Sequence, residues 1–155
     1  MVTFLLALIV ACTPSLQTED IATYDTQTQE PLTIGIYTDG VCGHAIGDDI
    51  CDLVLKDQND ETWRLYDLEG DVILLDFSAM WCGPCQSAAT TVQEIQDFYN
   101  SEGFSYVTIL IDDPTGDTME LGEVQDWATT FGIETASVLQ GSRELINSDP
   151  SLGYP

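Results

Sequence analysis

The chain opens on an unbroken apolar run, MVTFLLALIVA at 1–11, and then loses apolar rhythm: TPSLQTEDIATYDTQTQEPLT at 13–33 is polar and rich in Thr and Gln. Without apolar residues at a regular spacing no face can be buried, so 12–33 reads as a flexible tether and folding is expected from Ile34 on. LVLK at 53–56 and TWRLY at 62–66 flank the turn-forming QND at 58–60 and predict two short strands. VILLDFSA at 72–79 is almost continuously apolar, the pattern of a central strand buried on both faces. Over 86–101 the rhythm changes. Ala88, Val92, Ile95 and Tyr99 recur at three- and four-residue spacing and predict an amphipathic helix, which Gly103 ends. SYVTILI at 105–111 predicts a second central strand, and 120–131 a helix with Leu121, Val124, Trp127, Ala128 and Phe131 on one side. SVL at 137–139 predicts a third strand, and SDPSLGYP at 148–155 is turn material. Strand–helix–strand–helix order predicts an α/β domain with parallel pairing through right-handed crossovers.

A length of 155 residues suits one domain with a real core, and a hydrophobic share of 44% is ordinary for a globular protein. Charge changes the picture more. Against 27 acidic side chains stand only Lys56, Arg64 and Arg143, a formal charge of −24. Nucleic acid and anionic lipid are both bound by Lys and Arg neutralising phosphate, so nucleic-acid partners are excluded. The acidic excess keeps a secreted protein soluble at the cost of self-repulsion, or it suits salty surroundings, where the Debye length falls to about 3 Å at 1 M.

The leading apolar run is too short to span a bilayer, which takes about 20 such residues, but suits the core of a signal peptide. Ile9, Val10 and Ala11 then precede Cys12, and the segment resembles a bacterial lipobox, in which cleavage before the cysteine exposes it for diacylation. No Lys or Arg precedes the run, although a positive start is usual; a plain secretory signal or a buried strand is the alternative. The lipobox implies an extracytoplasmic, periplasmic address of the kind lipoproteins have, with acyl chains as the membrane anchor.

Cys82 and Cys85 form a Cys-x-x-Cys pair in WCGPC. Such a pair is half of a zinc site, a structural disulfide or a redox couple. Zinc needs two further ligands at similar spacing, and Cys42, Cys51 and His44 supply no second Cys-x-x-Cys, so no metal is expected. The setting favours redox chemistry. The pair falls where an apolar strand gives way to a helix, so Cys82 meets free N–H groups and the positive end of the dipole, which stabilise a thiolate. Cys42 and Cys51, nine residues apart in GVCGHAIGDDIC, are expected to form a structural disulfide in an oxidising compartment; a second redox pair, or a metal site with His44, is the other reading.

FSAMWCGPC resembles the active-site strand and loop of thioredoxins. LKDQNDETWRLYDLEGDVILLDF resembles the extracytoplasmic TlpA-like branch of that superfamily, with its preceding β-hairpin, and DDPTGDTMELGEVQDWATTFGIETASVL fits the helix and strand that this branch inserts in mid-fold. The resemblance covers roughly residues 46–155. It implies a thioredoxin fold and a thiol–disulfide oxidoreductase with no cofactor beyond the Cys82–Cys85 couple. In it Cys82 attacks, Cys85 resolves, Trp81 shields the site, and Gly83 and Pro84 shape the turn. Asp76 matches the buried acid six positions before the nucleophile, whose task is to accept the proton of Cys85; a polar residue tolerated at a strand edge is the other reading. The implied partners are protein disulfides and a membrane electron donor.

Several positions depart from the pattern. Ser78 stands where a second tryptophan is frequent, Thr90 replaces a helix-kinking proline, and Gln86 replaces a frequent basic residue. The resemblance also implies a cis-proline, for which Pro155 is the candidate, followed by two strands and a helix, so the 34–155 domain is expected to be incomplete at its C-terminus. Two other functions share such a fold. One is a peroxidase of the peroxiredoxin type, whose cysteine sits in a Thr-x-x-Cys setting where this chain has Met80 and Trp81 before Cys82. The other is a non-catalytic module that handles metal or haem.

Overall fold

The computed structural model describes residues 35–37, 42–43 and 46–147. The leader at 1–11, Cys12, the tether, His44 and Pro155 lie outside the described residues, and the readings made of them rest on sequence alone. Strand β1 is Gly35–Tyr37, β2 Asp52–Asp57 and β3 Thr62–Arg64. β2 and β3 pair antiparallel, with Val54 opposite Arg64 and Lys56 opposite Thr62. Their turn is held by Asp57, whose Oδ1 accepts the backbone N–H groups of Asn59 and Glu61 at 2.8 Å each. β3 is shorter than the pattern predicted, because Leu65–Leu68 coil into a 3-10 turn that buries Leu65.

The rest alternates as the sequence pattern predicts: β4 Val72–Ala79, α1 Gly83–Tyr99, β5 Phe104–Asp112, α2 Leu121–Phe131 and β6 Ser137–Gln140. A short helix, α3 at Arg143–Asn147, follows. β4, β5 and β6 run parallel, with Leu75 opposite Val107 and Ile109 opposite Leu139. β6 is joined antiparallel to β2 by Asp57 opposite Leu139. The described sheet therefore has the order β1-β2-β6-β5-β4, with β3 alongside β2.

β5, between β6 and β4, is buried from Tyr106 to Asp112. Its side chains alternate between two cores. Tyr106 and Leu110 join Ala89, Val92, Val124, Trp127 and Val138 beneath α1 and α2. Val107, Ile109 and Ile111 join Leu53, Leu55, Leu65, Leu139 and Ile146 on the opposite face.

Two expectations need correcting. Among the described residues β4 pairs only with β5, and its burial is uneven along its length. Val72 is 70% exposed and Leu74 is exposed too, and full burial is reached only at Ser78 and Ala79. An apolar run records that a strand can be buried, not how many neighbours it has. The buried stripe of α1 is also rotated by about one residue: Ala89, Val92 and Gln96 face inward, while Ala88 and Tyr99 are exposed. A polar residue sits in that stripe because its amide extends the sheet. Gln96 Oε1 accepts the N–H of Tyr106 at 2.6 Å and its Nε2 donates to the carbonyl of Phe104 at 3.2 Å.

Candidate active site

The site grows from the junction of β4 and α1. Ala79 ends the strand, Met80 N–H donates to the Asp112 carbonyl at 3.0 Å, and Cys82 is the N-cap of α1 in an extended conformation. Gly83 and Pro84 are the first two residues of the helix, where proline's missing N–H costs nothing because those donors have no partner within the helix. The backbone N–H of Cys85 points at Cys82 Sγ, 3.3 Å away, so the sulfur takes the place that a Ser or Asp oxygen takes in an ordinary cap. Cys82 and Cys85 are disulfide-bonded, with Cα atoms 5.2 Å apart. Both are half-buried, whereas Trp81, Gly83 and Pro84 are exposed, leaving the sulfurs beside an accessible rim. Gln86, at the position of the frequent basic residue, donates from Nε2 to the Met80 carbonyl at 2.6 Å and ties the turn to the helix.

The two sulfurs border different cores. Cys85 packs against the cluster under α1, Cys82 against the opposite one. Asp76 lies on the Cys85 side: it pairs with Thr108, between Tyr106 and Leu110 on the face beneath α1. Burial pushes its carboxyl above the usual carboxylate range, and the hydrogen bond from Ser78 Oγ to Asp76 Oδ2, 3.0 Å, opposes this in part. Ser78 therefore acts as a donor to the acid, at a position where bulk was expected. Tyr106 is raised as well, first by burial and then by the Asp76 charge, which keeps its hydroxyl protonated. The hydroxyl of Thr108, across from Asp76, is buried without a partner.

A β-bulge brings in a second acid. Ser78 faces Leu110 but Ala79 faces Asp112, so Ile111 is one residue too many for its partner strand and the end of β5 is redirected. Asp112 is 1% exposed. Its Oδ2 accepts the indole N–H of Trp81 at 3.1 Å, while Arg143 donates from Nε to Oδ1 at 2.5 Å and from Nη2 to Oδ2 at 2.6 Å. The Arg143 hydrogen bonds hold the Asp112 carboxyl below its ordinary range. Sequence reasoning missed both residues. The available signals were an acid closing the apolar run SYVTILID, and one of just three cationic residues standing soon after the last strand.

Cys42 and Cys51 are joined by a disulfide, Cα–Cα 4.9 Å, away from the Cys-x-x-Cys turn in sequence and with Cys51 buried. Among the described residues no cluster of three or more His, Cys, Asp or Glu side chains is arranged to hold a metal, and no helix is long and apolar enough to cross a membrane.

Comparison with known proteins agrees with this geometry. The thiol–disulfide oxidoreductase ResA of Geobacillus thermodenitrificans is 25% identical over 104 residues, covering 67% of this chain and 56% of the relative. The chain thus spans little more than half the length of that relative. The crystal structure of a putative thiol:disulfide interchange protein DsbE from Chlorobium tepidum has a TM-score of 0.50 at 25% identity, covering 65% of this chain and 64% of that one. A thiol:disulfide interchange protein of the thioredoxin family from Chlorobium tepidum TLS has a TM-score of 0.55 at 23% identity, covering 66% of each chain. The described domain has a thioredoxin-like α/β fold. A family model matches residues 46–148, more than half of the sequence and the whole β2–α3 region with its dithiol turn: the chain belongs to the AhpC/TSA family.

Proposed function

We propose that this protein is an extracytoplasmic thiol–disulfide oxidoreductase that exchanges electrons with protein disulfides through Cys82 and Cys85. The observation that carries this reading is the cap of α1, where a cysteine sulfur rather than an oxygen receives a free N–H of the first helical turn. A thiolate there is stabilised by that donor and by the dipole, which lowers its pKa from the free value of about 8.5. In the reducing direction the Cys82 thiolate attacks one sulfur of the partner disulfide, forming a mixed disulfide and expelling a partner thiolate. Cys85 then loses its proton to Asp76 and attacks Cys82 Sγ, closing the Cys82–Cys85 disulfide and expelling the second partner thiolate. The partner gains two electrons, and a dithiol donor restores the pair by the reverse exchange. Asp76 suits its part because burial raises the affinity of its carboxyl for a proton.

The same reading places the chain on a membrane through an acylated Cys12, gives it a membrane electron donor, and makes Cys42–Cys51 a structural clip. The resemblance to ResA supports the activity, and the lipobox-like segment supports the anchor.

Reduction of insulin disulfides in the presence of a dithiol donor tests the function. Wild type should turn over, Cys82→Ser should be inactive, and Cys85→Ser should accumulate a mixed disulfide through Cys82. Turnover unaffected by Cys82→Ser would reject the reading. The potential of the couple then sets the direction, about −270 mV marking a reductant and about −120 mV an oxidant.

A further inference from the structure

Trp81 is the rim of the dithiol, 49% exposed and adjacent in sequence to Cys82. A large side chain in that position would ordinarily sample several rotamers, yet its indole N–H is committed to a carboxylate oxygen 3.1 Å away. That carboxylate belongs to Asp112, and a buried, singly held carboxylate would itself be a poor anchor, because desolvation favours its neutral form. Arg143 removes the problem. It reaches from the first residue of α3, half-exposed, and grips the carboxylate with two donors in the fork geometry that only a guanidinium supplies. The loop after β5 passes against this guanidinium at Gly116. Three segments distant in sequence, the active-site turn, the bulged end of β5 and α3, therefore meet on one carboxylate.

We propose that Arg143 is a positioning residue for the dithiol: by gripping both oxygens of Asp112 it fixes Trp81, and through Trp81 the wall against which a partner disulfide meets Cys82. With the N–H turned to Asp112, the indole offers its apolar face to a partner, which suits an extended or unfolded segment carrying a disulfide rather than a ligand needing a hydrogen-bond donor. This rests on the oxidoreductase reading and deepens it by naming what orients the substrate-facing wall. The charged groups that act on Asp112 are Arg143 from α3, which holds its carboxyl down, and Asp113 from the following loop, which raises it. β4 and the active-site turn bring only the neutral Met80 and Trp81. Without Arg143 the indole hydrogen bond alone among these groups still favours the charged carboxylate, against burial and Asp113, and a carboxyl that gains a proton is a weaker acceptor for the indole.

The test uses the full chain with Arg143→Met and Arg143→Lys, each also combined with Trp81→Phe. The Trp81 emission, taken as the difference from Trp81→Phe, should be flat in wild type between about pH 5 and 8 and gain a one-proton transition in Arg143→Met. Arg143→Lys should move that transition back towards acid. The kcat/KM for insulin disulfides should fall about tenfold in Arg143→Met, but less than twofold when Trp81 is already Phe, since misplacement of the wall is then no longer felt. A lowered thermal midpoint with a flat emission profile, or an equal loss of kcat/KM in both backgrounds, would assign Arg143 a purely structural role and overturn the proposal. If wild type itself reduces no insulin, the oxidoreductase reading fails, while the emission arm still decides whether the clamp exists.

Discussion

Asp76 shows how one residue couples the site to stability. Its folded pKa lies above the ordinary value of 3.8 because burial opposes its charge. Below 3.8 the carboxyl is protonated in both folded and unfolded chains and has no effect on pH dependence. As pH rises from there the unfolded chain releases its proton first, so stability is lost progressively until the folded carboxyl has ionised too. Asp76→Asn should therefore flatten the stability–pH curve above about pH 4 and make the protein more stable at neutrality, as read by urea denaturation. The same variant should slow resolution of the mixed disulfide about 10²-fold, measured by the release of a labelled partner thiol. A gain in stability together with a loss in rate separates a proton acceptor from a packing residue. Asp76, Cys82 and Cys85 were legible in the sequence because each breaks its surroundings: an acid within VILLDFSA, and two cysteines at a strand–helix boundary. Asp112 and Arg143 were not, since their pairing depends on a bulge and on the return of the chain after β6.

At the level of elements, what the apolar rhythm revealed was type and extent. β4 begins and ends at Val72 and Ala79 as the run predicts, and α2 and β6 differ from expectation by one residue at an end. What it concealed was neighbourhood. The single neighbour of β4 among the described residues and the inward turn of Gln96 follow from pairing across the sheet, which no local window contains. α3 escaped because five residues are too few to show a period. The Gln96 amide occupies the stretch of β5 that β6, starting opposite Val107, does not reach. Gln96→Leu should leave the Tyr106 N–H and the Phe104 carbonyl without that partner and cost about 1–3 kcal/mol in urea denaturation, with little change in dithiol reactivity. A loss well below that range would mean that solvent replaces the amide.

Over the whole molecule the charge of −24 is nearly unrelieved, because each of the three cations is engaged with an aspartate: Lys56 with Asp60, Arg64 with Asp52 and Arg143 with Asp112. Surface repulsion of this kind is screened as the Debye length shrinks from about 30 Å at 0.01 M salt to about 3 Å at 1 M. Raising salt over that range should increase the thermal midpoint and lower the pH at which Cys82 is half-alkylated, since a thiolate adds to an already negative molecule. A midpoint indifferent to salt would mean that the acidic side chains are spaced widely enough not to interact. Cys82 links this global balance to electron transfer, because one atom serves both as the cap of α1 and as half of a bond that opens and closes. A thermodynamic cycle then applies: whatever steadies the folded chain more with two free thiols than with the sulfurs joined must raise the potential by the equivalent amount, about 30 mV for each 1.4 kcal/mol. The voltage of this couple is thus also a measurement of folding, and comparing unfolding of the two redox forms would yield its shift from the potential of the same dithiol in the unfolded chain.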